Sequence, residues 1–164
     1  MNRNNIAIPE TGWTCIAVHD LNNRMDSNTQ NQYLKCEKCN NEKVRFVHIL
    51  RHPDYPKDLC VGRVCAERIT GDSVGLMEKE SALRRKAKRR QSFCNGDWKL
   101  NYDKQTYSRR YKGEYITLKK YKNGNWCVIF KNNFYDYRDG YRIRTFEEAK
   151  SIAFDIFEKK MNIG

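Results

Sequence analysis

The chain has 164 residues, with 32 Lys+Arg against 20 Asp+Glu, a net charge of +12, and 12% aromatic residues. That aromatic content excludes a disordered polyelectrolyte, and the sequence has no apolar run long enough for a transmembrane helix. The first ten residues lack a charged-then-apolar signal pattern, so an intracellular, cytoplasmic protein is expected, with no membrane partner.

Hydrophobic residues make up 39% of the chain, enough for a small core that benefits from a staple. In a reducing compartment, seven cysteines read first as metal ligands and free thiols rather than disulfides. Residues 1–72 carry a net charge of +1, residues 73–94 of +5 and residues 95–164 of +6. The positive field therefore belongs to the second half, and such a field attracts polyanions, nucleic acid foremost.

In chain order, Asn22 to Gln32 is polar without an apolar period and reads as a loop. Tyr33-Leu34-Lys35 is strand-like and leads into Cys36-Glu37-Lys38-Cys39. Val44 to Leu50 alternates as a strand, with Val44, Phe46, His48 and Leu50 on one side. Cys60 and Cys65 follow, and Cys65 to Ile69 reads as a short helix capped by Gly71. The pattern C-x2-C-x20-C-x4-C can close a tetrahedral thiolate site on Zn2+, because a two-residue gap lets one turn aim both sulfurs at the ion. Cys36, Cys39 and Cys65 are its firm members. The fourth ligand is Cys60, the softer donor, or else His48 or His52. A knuckle, a strand and a helix whose first turn donates a ligand resembles a treble-clef zinc finger over about residues 33–71, although that family has C-x2-C at the second pair. Cys15, Cys94 and Cys127 have no partner spacing and read as packed thiols.

His48, His52 and Asp54 also raise the possibility of a ββα-metal nuclease. The segment after them, CAERITGD, lacks the His or Asn that such a site needs for its metal. No catalytic residues are assigned, and a non-enzymatic protein is expected.

Ser73 to Phe93 is rich in helix formers, with Leu76, Glu80, Leu83, Ala87 and Gln91 on one stripe. Arg84, Arg85, Lys86, Lys88, Arg89 and Arg90 fill the remaining circumference, and phosphate contact would relieve their mutual repulsion. Further on, Asn123-Gly124 signals a hairpin. A two-residue turn there places Leu118 opposite Ile129 and Tyr121 opposite Trp126, leaving one aliphatic face and one that shows Lys119, Tyr121 and Trp126. Asp139-Gly140 signals a second hairpin, with Tyr137 opposite Arg142 and Tyr135 opposite Arg144. Thr145 to Glu148 has capping-box form, and Ala149, Ile152, Ala153 and Ile156 give the last helix an apolar stripe.

Strands closed by one helix, with Trp126 after a Gly turn and the start TFEEA, resemble AP2-type and integrase arm-binding domains over about residues 115–160. The resemblance implies nucleic-acid contacts through Lys119, Tyr121, Trp126, Arg142 and Arg144. With the basic helix in front, the order also resembles a double-stranded-RNA-binding domain, while an aromatic face suits single strands. The reading is an α+β chain with a zinc-binding module at 1–72, a basic helical connector at 73–94, and an antiparallel sheet packed by a helix at 95–164. Its expected partner is RNA or DNA. Composition and module types resemble bacteriophage or mobile-element accessory proteins. The alternative is an anti-defence, anti-CRISPR-like inhibitor that engages a host RNA-guided nuclease or its ribonucleoprotein.

Overall fold

The computed structural model describes residues 7–23 and 31–163, so most of the polar stretch expected as a loop lies outside the described residues. The fold is α+β, with three helices and antiparallel sheets among the described residues. Two compact units divide the chain, the first holding residues 7–23 and 31–86 and the second 87–163.

The first unit is a three-stranded antiparallel sheet of β1 (Thr14–Asp20), β2 (Phe46–Arg51) and β3 (Leu59–Val61), followed by α1 (Arg63–Thr70). As the central strand, β2 buries both faces: Val47 is buried along with Phe46, His48 and Leu50. Trp13, Leu50, Leu59, Val61, Ala66, Ile69 and Leu76 fill the core. Gly71 ends α1 in the left-handed conformation (φ 74°), its N–H donating to the Glu67 carbonyl, as glycine's missing Cβ permits.

The long helix α2 (Ser73–Cys94) starts at Asp72, whose carboxylate accepts the Gly75 N–H at 2.8 Å. Leu76 and Glu80 are buried, and Leu83 and Ala87 half-buried, as the stripe predicts. Beyond them the stripe turns onto Arg90, Phe93 and Cys94 instead of Gln91, which is exposed. The helix supplies residues 73–86 to the first unit and 87–94 to the second, so the segment expected as a connector is shared between them.

The second unit has a five-stranded antiparallel sheet in sequential order: β4 (Lys99–Leu100), β5 (Thr106–Tyr111), β6 (Glu114–Lys120), β7 (Trp126–Phe130) and β8 (Asn133–Tyr135). A two-stranded ladder of β9 (Tyr137–Arg138) and β10 (Tyr141–Arg142) precedes α3 (Phe146–Lys160). Thr145 caps α3 by accepting the Glu148 N–H at 3.1 Å, and Glu148 reaches back to the Arg144 N–H at 2.9 Å. The helix lies on β6 and β7 and buries Ala149, Ile152, Ala153, Phe154 and Phe157.

The β6–β7 register differs from the expected one by a residue: Leu118 faces Val128 and Lys120 faces Trp126. The turn has three residues, Lys122-Asn123-Gly124, closed by the Tyr121 N–H on the Asn125 carbonyl at 2.8 Å. Only Gly124 takes a positive φ (+85°), whereas a two-residue type I′ turn needs it at both centres. The shift moves Trp126 onto the core face with Ile116 and Leu118. In the second hairpin Asp139 (+50°) and Gly140 (+82°) both have positive φ, and Arg142 does face Tyr137. Tyr135 does not face Arg144, because β8 takes it to Val128.

Phe93 sits at the centre of the second core, fully buried among Trp98, Tyr111 and Phe154, with ring centroids 4.9–5.6 Å away. Phe93→Ala should therefore cost about 3–5 kcal/mol. The check is a urea titration followed by tryptophan fluorescence, with the midpoint of the C-terminal unit falling while the β1–β3 unit keeps its own transition.

Candidate functional site

The knuckle expected at Cys36–Cys39 is built by backbone bonds. Leu34 pairs with Val44, the Cys36 N–H donates to the Asn41 carbonyl at 2.8 Å, and Asn40 (φ +62°) returns its N–H to the Cys36 carbonyl. Cys65, third residue of α1, completes a cluster with Cys36 and Cys39 whose sulfurs lie within 4.8 Å of one another. Cys36 and Cys65 are buried and Cys39 is exposed. Burial opposes ionisation of Cys36, but the N–H groups of Cys39, Gly62 and Lys38 outweigh it and hold the thiol below its ordinary value. Cys65 is pushed up to about 12, by burial first and then by its hydrogen bonds with the other two sulfurs. Three thiols that compete for one negative charge, with amides aimed at one sulfur, are a donor set that fits a metal ion, which removes the competition.

Cys60, expected as the fourth ligand, is not in the cluster. It lies between Leu59 and Val61 on β3, whose side chains enter the core, so strand alternation turns its thiol to the other face. Its N–H and carbonyl instead fasten the knuckle, bonding Glu37 at 2.6 and 3.0 Å. Neither histidine takes its place. His48 is fully buried with Nε2 3.2 Å from Glu80, and His52 packs on Trp13 with Nδ1 accepting the Asp54 N–H.

The three cysteines line an open cleft of about 310 Å³, together with Lys43, Arg45, Arg63 and Arg84. Glu80, buried at its wall, receives Arg84 at 2.6 Å, His48 at 3.2 Å and Arg63 at 3.7 Å. Arg45 and Arg84 lie over the Phe46 ring at 4.9 and 4.2 Å. Sequence reasoning placed Glu80 on the apolar stripe of α2 without a role. The pairing was signalled by Arg84 four residues later, the spacing of a helical ion pair.

Within the basic run at 84–90 of α2, Arg84, Arg89 and Arg90 pair with carboxylates of the protein. Arg84 holds Glu80, Arg89 holds Glu158 at 2.8 Å, and the 2%-exposed Arg90 makes a short bond to Asp155. Arg89 and Arg90 were expected to meet an external partner; they are spent on α3, because the helix stripe turns them inward. Arg85 and Lys88 are exposed and have no ion pair among the described residues, and Lys86 is half-buried.

On the sheet, α3 covers the face of Ile116, Leu118, Trp126, Val128 and Phe130. Trp126, expected as an exposed contact, is buried 5.0 Å from the Phe146 ring, a consequence of the register shift. The opposite face carries Lys99, Ser108, Arg110, Tyr115, Thr117, Lys119, Ile129 and Phe134, as the pairings require. Lys119 and Tyr121 are here as expected, with the Lys119 ammonium 5.7 Å from the Tyr121 ring. Tyr115 and Phe134 are 67% and 65% exposed. Arg110 lies 5.8 Å from the Tyr115 ring. Alternation along β5 and β6 could have revealed Arg110 and Tyr115; Lys99 and Phe134 are on strands too short to show a period. No strand residue on this face is acidic. Asp103 and Asp136, in the adjoining turns, are occupied by Thr106 and by the Tyr121 hydroxyl. Arg142 stacks on Tyr137 at 4.8 Å in the small ladder, and Arg144 is exposed just before α3.

Comparison with family models, curated proteins and solved structures finds no match to this chain.

Burial alone would raise the pKa of Glu80, but the bonds from Arg84 and His48 hold it below its ordinary 4.5. A depressed carboxylate contributes stability above its unfolded pKa and loses it as pH falls through the folded value. Glu80→Gln should therefore unfold the first unit more easily at pH 7, by about 1–3 kcal/mol. The gap to the wild type should close as pH drops below 4.5, as read from urea midpoints across that range.

Proposed function

We propose that this chain is a non-enzymatic, zinc-stapled nucleic-acid-binding protein that holds a single strand on the open face of its C-terminal sheet. The observation that carries the reading is that face itself: five strands that no helix covers among the described residues, bearing Lys99, Arg110 and Lys119 beside the exposed rings of Tyr115 and Phe134, with no strand carboxylate. Bases of any identity stack on such rings while the cations take the phosphates. From strand spacing and rise, Tyr115 on β6 and Phe134 on β8 are roughly 12 Å apart, so each receives its own base. Arg110 and Lys119 lie beside aromatic rings, which keeps the charges against the platform instead of in bulk water.

This reading favours single strands over a duplex groove. Trp126, one of the two carriers of the groove-binding resemblance, is packed under α3. Arg85 and Lys88 on α2, and Arg142 and Arg144 near the small ladder, are exposed and add long-range attraction. In the first unit, Cys36, Cys39 and Cys65 hold Zn2+, which supplies folding energy to a small core.

A salt-titrated binding assay against single-stranded RNA, single-stranded DNA and their duplexes tests the proposal. The single strands should bind more tightly than the duplexes, and log K should fall linearly with log salt, by about 0.7 per phosphate neutralised. Tyr115→Ala and Phe134→Ala should each weaken binding by about 1–3 kcal/mol, roughly 5- to 150-fold, and leave the salt slope unchanged. Lys119→Ala should flatten that slope. Uniformly weak binding by the folded, metal-loaded protein would contradict the reading and make this face a docking surface for another protein.

A further inference from the structure

A thiolate site with four protein ligands is closed; one with three keeps a position for something else. Among the described residues the cluster contains three sulfurs and no fourth His, Cys, Asp or Glu donor. The neighbouring candidates are each committed elsewhere. Cys60 is turned to the other face of β3. His48 and Glu80 hold each other, and Arg84 takes the second Glu80 oxygen. The Asn41 side chain accepts the Lys43 N–H at 3.0 Å. All three cysteines line the open cleft, and Cys39 is exposed, so the cleft is the route from solvent to the cluster.

The cleft walls favour a negative ligand. Lys43, Arg45, Arg63 and Arg84 contribute four positive charges to the lining and Glu80 one negative. Arg45 is neutralised by Asp20, and Arg63 shares Glu67 and Glu80. Lys43 is exposed and has no ion-pair partner among the described residues. Three thiolates on a divalent ion leave one net negative charge, which would repel an anion if it stood alone; the cationic rim offsets it.

We infer that a metal ion held by Cys36, Cys39 and Cys65 takes its fourth ligand from the cleft, as an exchangeable small anion drawn in past Lys43. The site is then open to ligand exchange rather than sealed. This rests on the metal-binding part of the function proposed above, and is independent of the sheet face.

The test uses the full chain loaded with Co2+, whose visible spectrum reports its ligands, and sodium azide as the probe. Azide should shift the cobalt d–d bands in a saturable way. Cys60→Ser should keep both the metal and the full sulfur-to-cobalt charge-transfer intensity, whereas Cys39→Ser should lose about a third of that intensity or the metal altogether. Lys43→Glu should weaken azide binding severalfold at low salt with the azide-free spectrum unchanged. A spectrum insensitive to azide, with intensity lost in Cys60→Ser, would overturn the inference in favour of a closed four-sulfur site while the metal reading stands. Failure to take up Co2+ or Zn2+ at all would overturn both. Unchanged azide affinity in Lys43→Glu would remove the rim from the account.

Discussion

The long helix α2 carries six cations within seven positions, and the carboxylates that receive half of them organise both units. A helix so charged is opposed by its own repulsion. Glu80 takes Arg84 in the first unit, and Asp155 and Glu158 on α3 take Arg90 and Arg89 in the second. These are not surface pairs of negligible worth: Glu80, Arg90 and Glu158 are all at most 6% exposed. Removing one partner from such a pair strands a buried charge, which is more costly than the pair is stabilising. Glu80 also meets buried His48 and thereby ties α2 to the central strand of the sheet that supports the cysteine cluster.

This arrangement changes what the positive charge is for. A run of basic residues suggests phosphate contact, yet on α2 the inward half of the run is structural. Exposed positive charge remains at Arg85 and Lys88 of α2 and on other surfaces, among them the face of β4–β8 that α3 does not cover. There the cations alternate with aromatic rings, because antiparallel strands put every second residue on the same side. The aliphatic residues on the other side, together with Trp126, are committed to α3. A sheet with one face covered by α3 and the other free of a helix among the described residues thus separates stability from binding. In the first unit the separation is less complete, since Cys36 and Cys65 both belong to the core and line the cleft.

Much of this was legible in the sequence. The α+β class, the helix start at Thr145, the Gly71 cap and the Cys36–Cys39 knuckle all follow from local chemistry. What failed was register. Asn123-Gly124 reads as a two-residue turn, but Asn123 stays out of the left-handed region and the loop gains a residue, which carries Trp126 from the bare face to the core. Asp139-Gly140, with the same kind of signal, does form the two-residue turn. The dipeptide alone does not distinguish the outcomes; packing of Trp126 against Tyr107 and Phe146 does, and it is a tertiary contact. The same holds for Cys60. Its spacing suits a ligand, but β3 pairs it with Ile49, and strand alternation then decides where its thiol points. For α2, a stripe projected at fixed spacing reached Ala87 correctly and missed Arg90, whose carboxylate partner lies 65 residues away in sequence.

The most direct test of the central claim is ultraviolet crosslinking of a bound single strand, followed by mass spectrometry of the attached peptides. The account predicts crosslinks at Tyr115 and Phe134, on strands β6 and β8. Crosslinks confined to α2 or to the β9–β10 ladder, with none on the open face of the five-stranded sheet, would contradict it.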